Sequence, residues 1–600
     1  MRLIVLAASC AATATGFSTL PHQKLRKSSV PSYVDRTPCT SYSIPYVKPC
    51  ETQVSQRLPK LYSSLAIPGT VTKVFPPAVK LALLGTFALM LLTRLQPERL
   101  LYPNVVKDDD FDEPLPPGKI DGCPFIGSTS AFADANTFLY KRAASLSKSG
   151  STPRIWKYFG FFKPTAVLSG SSVIKRVLNK EFKEDSRTGE GAVSQITSFG
   201  SLEELFGTDS LSFETKSKDR YHAVRSLVGQ AMTPKAVAEG IPALQASAER
   251  AISRITQANG QHIAVEDICK DLTLDVSWRQ IIGLNLKDEK EITEFYEKIN
   301  EWMKGIVNFS VILFPRWIVN RMRCVKAKIF LTQKVEEKID ELLAKGPDGS
   351  TMSSMLFAKD EEDGHKAVKL TRKEVIDNIF LLIVAGSETS ANTLTCALLL
   401  LGMYPHVYEK LVAEQTEIVA KYGDKLSKEQ LEESVSPYLD AVLKETMRLM
   451  PITGGGMRQV DETIVIDGVQ IPKDWYILYS VSLTHKQDPV TQEPDGSDNM
   501  SIYSAYRPER WLDDKTRPSS EFIPWGAGHR FCLGHTLATA EMKVFLATFA
   551  RKVKSFDLIT DPASKWKWGI IKTPADGVVV VPHTNGVSSI KEVASEKVMA

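Results

Sequence analysis

Cysteine pairs at metal-binding spacing are missing from these 600 residues. The eight cysteines (Cys10, Cys39, Cys50, Cys123, Cys269, Cys324, Cys396 and Cys532) are scattered, with no C-x-x-C among them. That pattern indicates neither a zinc site nor a dense disulfide framework, and it offers no cysteine cluster for an iron–sulfur centre. No G-x-G-x-x-G follows a strand pattern, so a dinucleotide-binding turn is not recognisable either. The net charge is only +4, with no basic stripe, which gives no support for nucleic acid as a partner. No internal repeat is visible. What remains is an ordinary globular composition, 43% hydrophobic and 24% charged, in a chain too long for one ordinary core.

The N-terminus reads as targeting sequence. Arg2 precedes a short run of apolar and small residues, Leu3 to Thr15, which predicts a signal peptide over 1–16. Between Phe17 and Lys60 stand seven Lys or Arg residues but only two acids, Asp35 and Glu51. With many Ser, Thr and Pro this composition predicts a transit-like presequence over 17–70. The two in series resemble the bipartite plastid presequence of algae with secondary plastids; the alternative is an endoplasmic-reticulum signal followed by a linker. Phe75 to Leu92 is apolar apart from Lys80, slightly short of the ~20 residues of a full span. Lys80 can snorkel to an interface, so a membrane anchor is expected over 71–99, with a surface amphipathic helix as the alternative.

After a stiff Pro114-Leu-Pro-Pro-Gly118 hinge, a catalytic domain is expected over 100–585, with a flexible tail over 586–600. Arg154 to Ser169 reads as a hairpin broken at Lys163-Pro164. Helical periodicity covers Pro234–Gln257, Leu286–Lys304, Ile318–Lys345, Arg372–Met403 and Pro405–Tyr422. Gly346 to Lys369 reads as an exposed connection, and strands return at Glu462–Val481 around Asp467-Gly468. A last hairpin is expected at Asp576-Gly577. The sum is a mainly α (α+β) fold.

Five signals carry the chemistry. In Trp525-Gly-Ala-Gly528-His-Arg530-Phe-Cys532-Leu-Gly534 a single cysteine sits in a glycine-flanked loop, two residues after an arginine. Alone, such a loop also reads as a buried thiol in a turn. On a helix Glu445 and Arg448 share a face. Tyr506-Arg507-Pro508-Glu509-Arg510-Trp511 supplies another arginine at a proline turn. The apolar helix near Ile379–Leu401 is interrupted by Ala385-Gly386-Ser387-Glu388-Thr389-Ser390, and polar groups inside such a helix need a reason. The last signal is Arg220-Tyr221-His-Ala-Val-Arg225, with Arg458 in the strand after the Glu445 helix.

Together, and in the expected order and separations along the chain, these segments resemble the cytochrome P450 family over residues 110–585. The resemblance implies the cytochrome P450 fold: a large helical domain, a smaller β-rich N-terminal lobe, and haem b bound through Cys532. It implies a structural triad of Glu445, Arg448 and Arg510, and propionate partners Tyr221, Arg225, Arg458 and Arg530. Glu388 and Thr389 are the implied acid–alcohol pair that relays protons to bound oxygen. Ile452 and Thr453 would face substrate, and the distal cavity would be lined from 185–215 and 300–320. Three positions depart from the family pattern: Trp525 for phenylalanine, Ser390 for a second threonine, and Tyr221 for Trp or His. Gly229 to Lys235 and Gly455 to His485 look most like the retinoid, sterol and plant-steroid hydroxylase branch.

The implied activity is a monooxygenase that hydroxylates a hydrophobic substrate, a sterol, carotenoid or other isoprenoid, with O2. Electrons would come from an external electron donor, a ferredoxin in a plastid or NADPH-cytochrome P450 reductase at the endoplasmic reticulum. Arg220, Lys543 and Lys552 are basic residues that could steer an acidic donor. Two other readings stay open: a haem-thiolate isomerase or lyase of lipid hydroperoxides, and a non-enzymatic haem sensor. The Glu388-Thr389 pair argues against the first. The expected location is a plastid membrane surface.

Overall fold

The computed structural model describes residues 102–584, apart from 103–104, 122–126, 129–134, 148–151, 161–162, 182–190, 196–202, 214–217, 287, 307–310, 312–313, 359–368, 564–565, 568–572 and 575–576. The expected signal peptide, presequence, anchor and tail lie outside the described residues.

One helix organises the rest. Arg372–Met403 begins at a capping box, with the Thr371 hydroxyl accepting from the Glu374 N–H and Glu374 reaching back to Thr371. Its apolar residues run around the whole circumference, a pattern that demands burial on every side. Ile379, Phe380, Leu394 and Leu398–Leu401 are all at most 0% exposed. It is also the one helix among the described residues that is long and apolar enough to cross a membrane, and most of it is buried within the protein. Helices Val265–Val276, Pro437–Leu449 and His535–Lys552 pack around it.

Proline and threonine set other helix starts. Pro234–Gln257 and Pro405–Tyr422 both open on proline, where no N–H partner is lost, and Thr233 caps the first. Both match the periodicity reading. Two expected helices shift: 286–304 is observed as Glu289–Ile306, and 318–345 as the short Arg316–Val319 followed by Arg323–Lys345. The expected loop 346–369 holds a helix, Thr351–Phe357. Ser350 caps it, and Met352 and Met355, three apart on one face, are fully buried. Two buried methionines outweighed the turn-rich composition.

The main sheet has five strands in the order Ile155–Phe159, Pro164–Leu168, Tyr476–Ser480, Gly455–Val460, Val193–Gln195. The first two form the expected hairpin, Pro164–Leu168 runs parallel to Tyr476–Ser480, and the remaining pairs are antiparallel. The β-rich lobe is therefore not purely N-terminal, because two of these strands come from 455–480. Asp467 (φ 49°) and Gly468 (φ 72°) make the tight turn between Ile464–Ile466 and Val469–Ile471. The expected turn at 576–577 lies partly outside the described residues. Val579–His583 pairs with Ser555–Leu558 and Ile263–Ala264, where Val580 is completely buried.

Candidate active site

Glu445 is 0% exposed, and five donors saturate its carboxylate. Oε1 accepts from Arg448 Nη2 (2.8 Å), Arg510 Nε (2.8 Å) and the Arg507 N–H (3.2 Å). Oε2 accepts from Arg448 Nε and Trp511 Nε1, both at 2.9 Å. Burial alone pushes such a carboxyl up; the charges of Arg448 and Arg510 reverse this and hold it below the usual carboxylate range. The guanidiniums are satisfied in turn, Arg448 by the Asn499 and Ala505 carbonyls and Arg510 by Ala505 and Glu493. The expected triad is thus assembled. Trp511, whose indole N–H needs an acceptor wherever it is buried, was legible in the motif but went unread.

This region connects to the cysteine loop through His485, a residue the sequence did not single out. Its Nδ1 lies 3.0 Å from the Arg448 carbonyl, and its Nε2 accepts the Ile523 N–H at 3.1 Å. Accepting at Nε2 makes the ring a neutral Nδ1–H tautomer. Burial pushes its pKa down to about 4.

In the loop itself the Cys532 N–H donates to the Trp525 carbonyl at 3.0 Å, which closes the turn. Gly528 sits at φ 71°, and a Cβ there would come within 2.8 Å of Leu178 Cβ. Tyr221 donates to the His529 carbonyl (3.1 Å) and Arg225 to the Phe531 carbonyl, so the Lys218–Gly229 helix holds the loop by its backbone. Burial raises the Cys532 thiol, while the Gly534 N–H and the Arg225 guanidinium act in the opposite direction.

A cavity of about 320 Å³ lies between this loop and the long helix, lined by Cys532, Ala385, Gly386, Thr389, Tyr221, Arg225 and Arg530 among others. Gly386 opens on it, since a Cβ there would meet nothing within 4 Å. Thr389 Oγ1 donates to the Ala385 carbonyl at 2.5 Å. Glu388 is not among the lining residues. Asn392 donates to it at 3.4 Å, and its charge, after that of Glu266, offsets the burial that would otherwise depress Lys270. The structure therefore separates the expected acid from its alcohol. Ile452 and Thr453 do not line the cavity either, and Thr453 is exposed. From the expected 185–215 stretch come Gln195, Leu211 and Ser212; among the described residues, 300–320 contributes none. Glu541, from helix His535–Lys552, lines the cavity and had no signal in the sequence beyond its place nine residues after Cys532.

Of the basic residues expected to steer a donor, Lys543 is buried and paired to Asp440 at 2.6 Å, so it cannot act at the surface. Arg220 is taken up by Glu374, and Lys552 lies 3.4 Å from Asp424.

The Cytochrome P450 family model matches residues 116–584. Taxoid 2-alpha-hydroxylase of Taxus canadensis is 25% identical over 77% of this chain and 89% of its own length. Cytochrome P450 26A1 of Xenopus laevis is 26% identical over 78% and 91%. The structure of retinoic acid bound cyanobacterial CYP120A1 superposes with a TM-score of 0.62 at 24% identity, covering 79% of this chain and all of that one. The fold of the chain is theirs.

The cofactor is haem with cysteine-thiolate ligation, and the residues fit it. Arg225 and Arg530 line the cavity, Arg458 lies beside Glu181, the partner of Arg530, and Arg458 Nε is buried with no hydrogen-bond partner. A propionate is the acceptor it lacks. Cys532 is the free cysteine in the cavity, and a coordinating thiol is deprotonated outright, whatever burial does to the free one. A match over residues 116–584, most of the sequence, decides the matter: the chain belongs to the cytochrome P450 family and is a haem-thiolate monooxygenase of hydrophobic substrates.

Proposed function

We propose that the chain hydroxylates an isoprenoid lipid of retinoid, sterol or related terpenoid type. The cavity over Cys532 is the observation that carries this reading. Its lining includes Leu211, Val276, Ile281, Leu381 and Leu382, apolar groups that suit a hydrophobic ligand beside haem, together with polar ones such as Gln195, Ser212, Thr273 and Ser277 that can fix its orientation. The relatives named for taxoid hydroxylation and the structure named for bound retinoic acid support the same class.

When bound, haem supplies the oxygen activation and the insertion into a C–H bond. The protein's part is orientation and proton delivery. Thr389 presents its hydroxyl to the cavity, and Gly386 leaves space beside it. Glu388 serves the relay by turning from Asn392 toward that hydroxyl, a rotamer change within the helix. Tyr221, Arg225, Arg458 and Arg530 hold the propionates. Electrons come from a separate donor, a ferredoxin if the presequence directs the protein to a plastid membrane.

Titration of the purified holoenzyme with retinoids, sterols and cyclic terpenoids tests the class. A low- to high-spin Soret shift with at least one of them is expected; no shift with any, together with a shift by fatty acids, would overturn it. Thr389→Ala is expected to keep its haem and to release peroxide in place of product. Equal coupling in the variant and parent would remove Thr389 from the relay. A fluorescent fusion of residues 1–99 checks the location: reticulum labelling without plastid labelling refutes the plastid assignment.

A further inference from the structure

Glu181 is a carboxylate buried where none was expected. It ends the short turn Asn179–Glu181 that follows helix Ser171–Leu178. Its side chain is 4% exposed and lies between Arg530, which donates to Oε1, and Arg458, whose Nε is 3.7 Å from Oε2. Oε2 and Arg458 Nε are both buried, and neither has a hydrogen-bond partner. A buried guanidinium N–H with no acceptor is costly unless an acceptor completes the cluster, and a propionate can supply one.

Three separate parts of the chain meet here. Leu178, just before the turn, lies against Gly528 of the cysteine loop. Val193–Gln195 pairs with Gly455–Val460 in a register that sets Gln195 opposite Arg458. Arg530 comes from the cysteine loop itself and also donates to the Leu211 carbonyl at 2.8 Å. The turn therefore fixes Glu181 relative to both guanidiniums before any ligand is bound.

We propose that Glu181 is a positioning residue for haem: it holds Arg458 and Arg530 in place and balances the charge of the propionate pocket. Arg225, Arg458 and Arg530 bring three positive charges. Two propionates bring two negative ones, and Glu181 supplies the third, so the buried cluster is neutral once haem is in place. Without Glu181 one guanidinium charge is left in excess and two long side chains lose their anchor. The proposal rests on reading those arginines as propionate partners, and its test separates the two.

The experiment measures haem transfer from the holoenzyme to excess apomyoglobin, with the ferric–ferrous midpoint potential of the same samples. Glu181→Ala is expected to speed haem loss about tenfold or more, the scale of a lost charge-assisted hydrogen bond. Glu181→Gln keeps the shape but not the charge. It is expected to lose haem several-fold faster and to shift the potential upward, because a negative charge near the haem edge is gone. Glu181→Asp should keep the parent potential and recover part of the retention. Should Glu181→Ala not fold, Glu181→Gln decides alone. Parent-like retention in Glu181→Gln overturns the proposal. So does faster loss with an unmoved potential, which would make Glu181 a merely structural residue of the turn. Arg458→Gln separates the readings: if it loosens haem while the Glu181 variants do not, only the role of Glu181 falls. If it has no effect, the propionate assignment of Arg458 falls first.

Discussion

Glu445 and Glu541 are both buried carboxyls close to the cysteine loop, and they behave in opposite ways. Glu445 receives five donors from two arginines, a backbone N–H and an indole, and is held ionised. Glu541 has no guanidinium. Burial raises it to about 7, and the Ser390 hydroxyl beside it favours the charged form only weakly. Glu541 Oε1 and Ser390 Oγ both lack a hydrogen-bond partner. The first region is complete and carries the fold. The second is incomplete and opens on the reaction cavity, where an acid that can change charge near neutral pH is useful.

Breaking the complete region is expected to have the largest effect. Glu445→Gln leaves Arg448, 1% exposed, as an unmatched buried charge and Arg510, also 1% exposed, with Glu493 as its remaining carboxylate. A loss of about 3–5 kcal/mol is expected. Denaturant unfolding followed by tryptophan fluorescence checks it, and haem content should fall in parallel. A variant with parental stability and full haem would show that the clamp is dispensable.

His485 ties the same region to pH. Its pKa falls from an ordinary 6.5 to about 4 in the folded protein, so the unfolded chain binds the extra proton between those values. The stability it contributes is complete above pH 6.5 and is lost as pH falls to 4, in total about 3 kcal/mol at 1.36 per unit. His485→Gln should flatten that part of the stability–pH curve. An unchanged slope would mean that the ring is not held neutral.

Glu541 reverses the sign. Its carboxyl is raised from 4.5 to about 7, so the folded state binds the extra proton and stability declines as pH rises from 4.5 to 7. Glu541→Gln, neutral at every pH, is expected to be more stable than the parent at pH 8 by about 2 kcal/mol and equal to it near pH 4. The full shift corresponds to about 3 kcal/mol, reduced because a carboxyl that lines a cavity keeps some solvation. Thermal melts at the two pH values decide it, and a variant less stable at pH 8 would refute it.

The same contrast explains what could be read from sequence. Glu445, Arg448, Arg510 and Cys532 lie in short motifs whose chemistry requires those residues at those spacings, and the structure brings the triad together as expected. The helices Pro234–Gln257, Arg372–Met403 and Pro405–Tyr422 were legible because proline or a capping threonine marks their starts. Glu181, His485 and Glu541 were not, since each gains its meaning from a partner 38 or more residues away. The direction in which Glu388 points was hidden for a related reason. Adjacent helix positions point about 100° apart, so a neighbour of Thr389 faces Lys270 and Asn392 rather than the cavity.

Trp511 gives the smallest and sharpest test of the complete region. Its indole N–H is one of two donors to Glu445 Oε2, and the other, Arg448 Nε, remains when it is removed. Trp511→Phe keeps an aromatic ring in contact with Phe522, whose centroid is 4.7 Å away. It deletes one neutral donor to a charged acceptor, a loss of about 1.5 kcal/mol. Haem content should be unaffected, because both guanidiniums keep their carboxylate. If Trp511→Phe instead costs as much as Glu445→Gln, the five donors act as one unit and the charge of the arginines alone does not hold Glu445 in place.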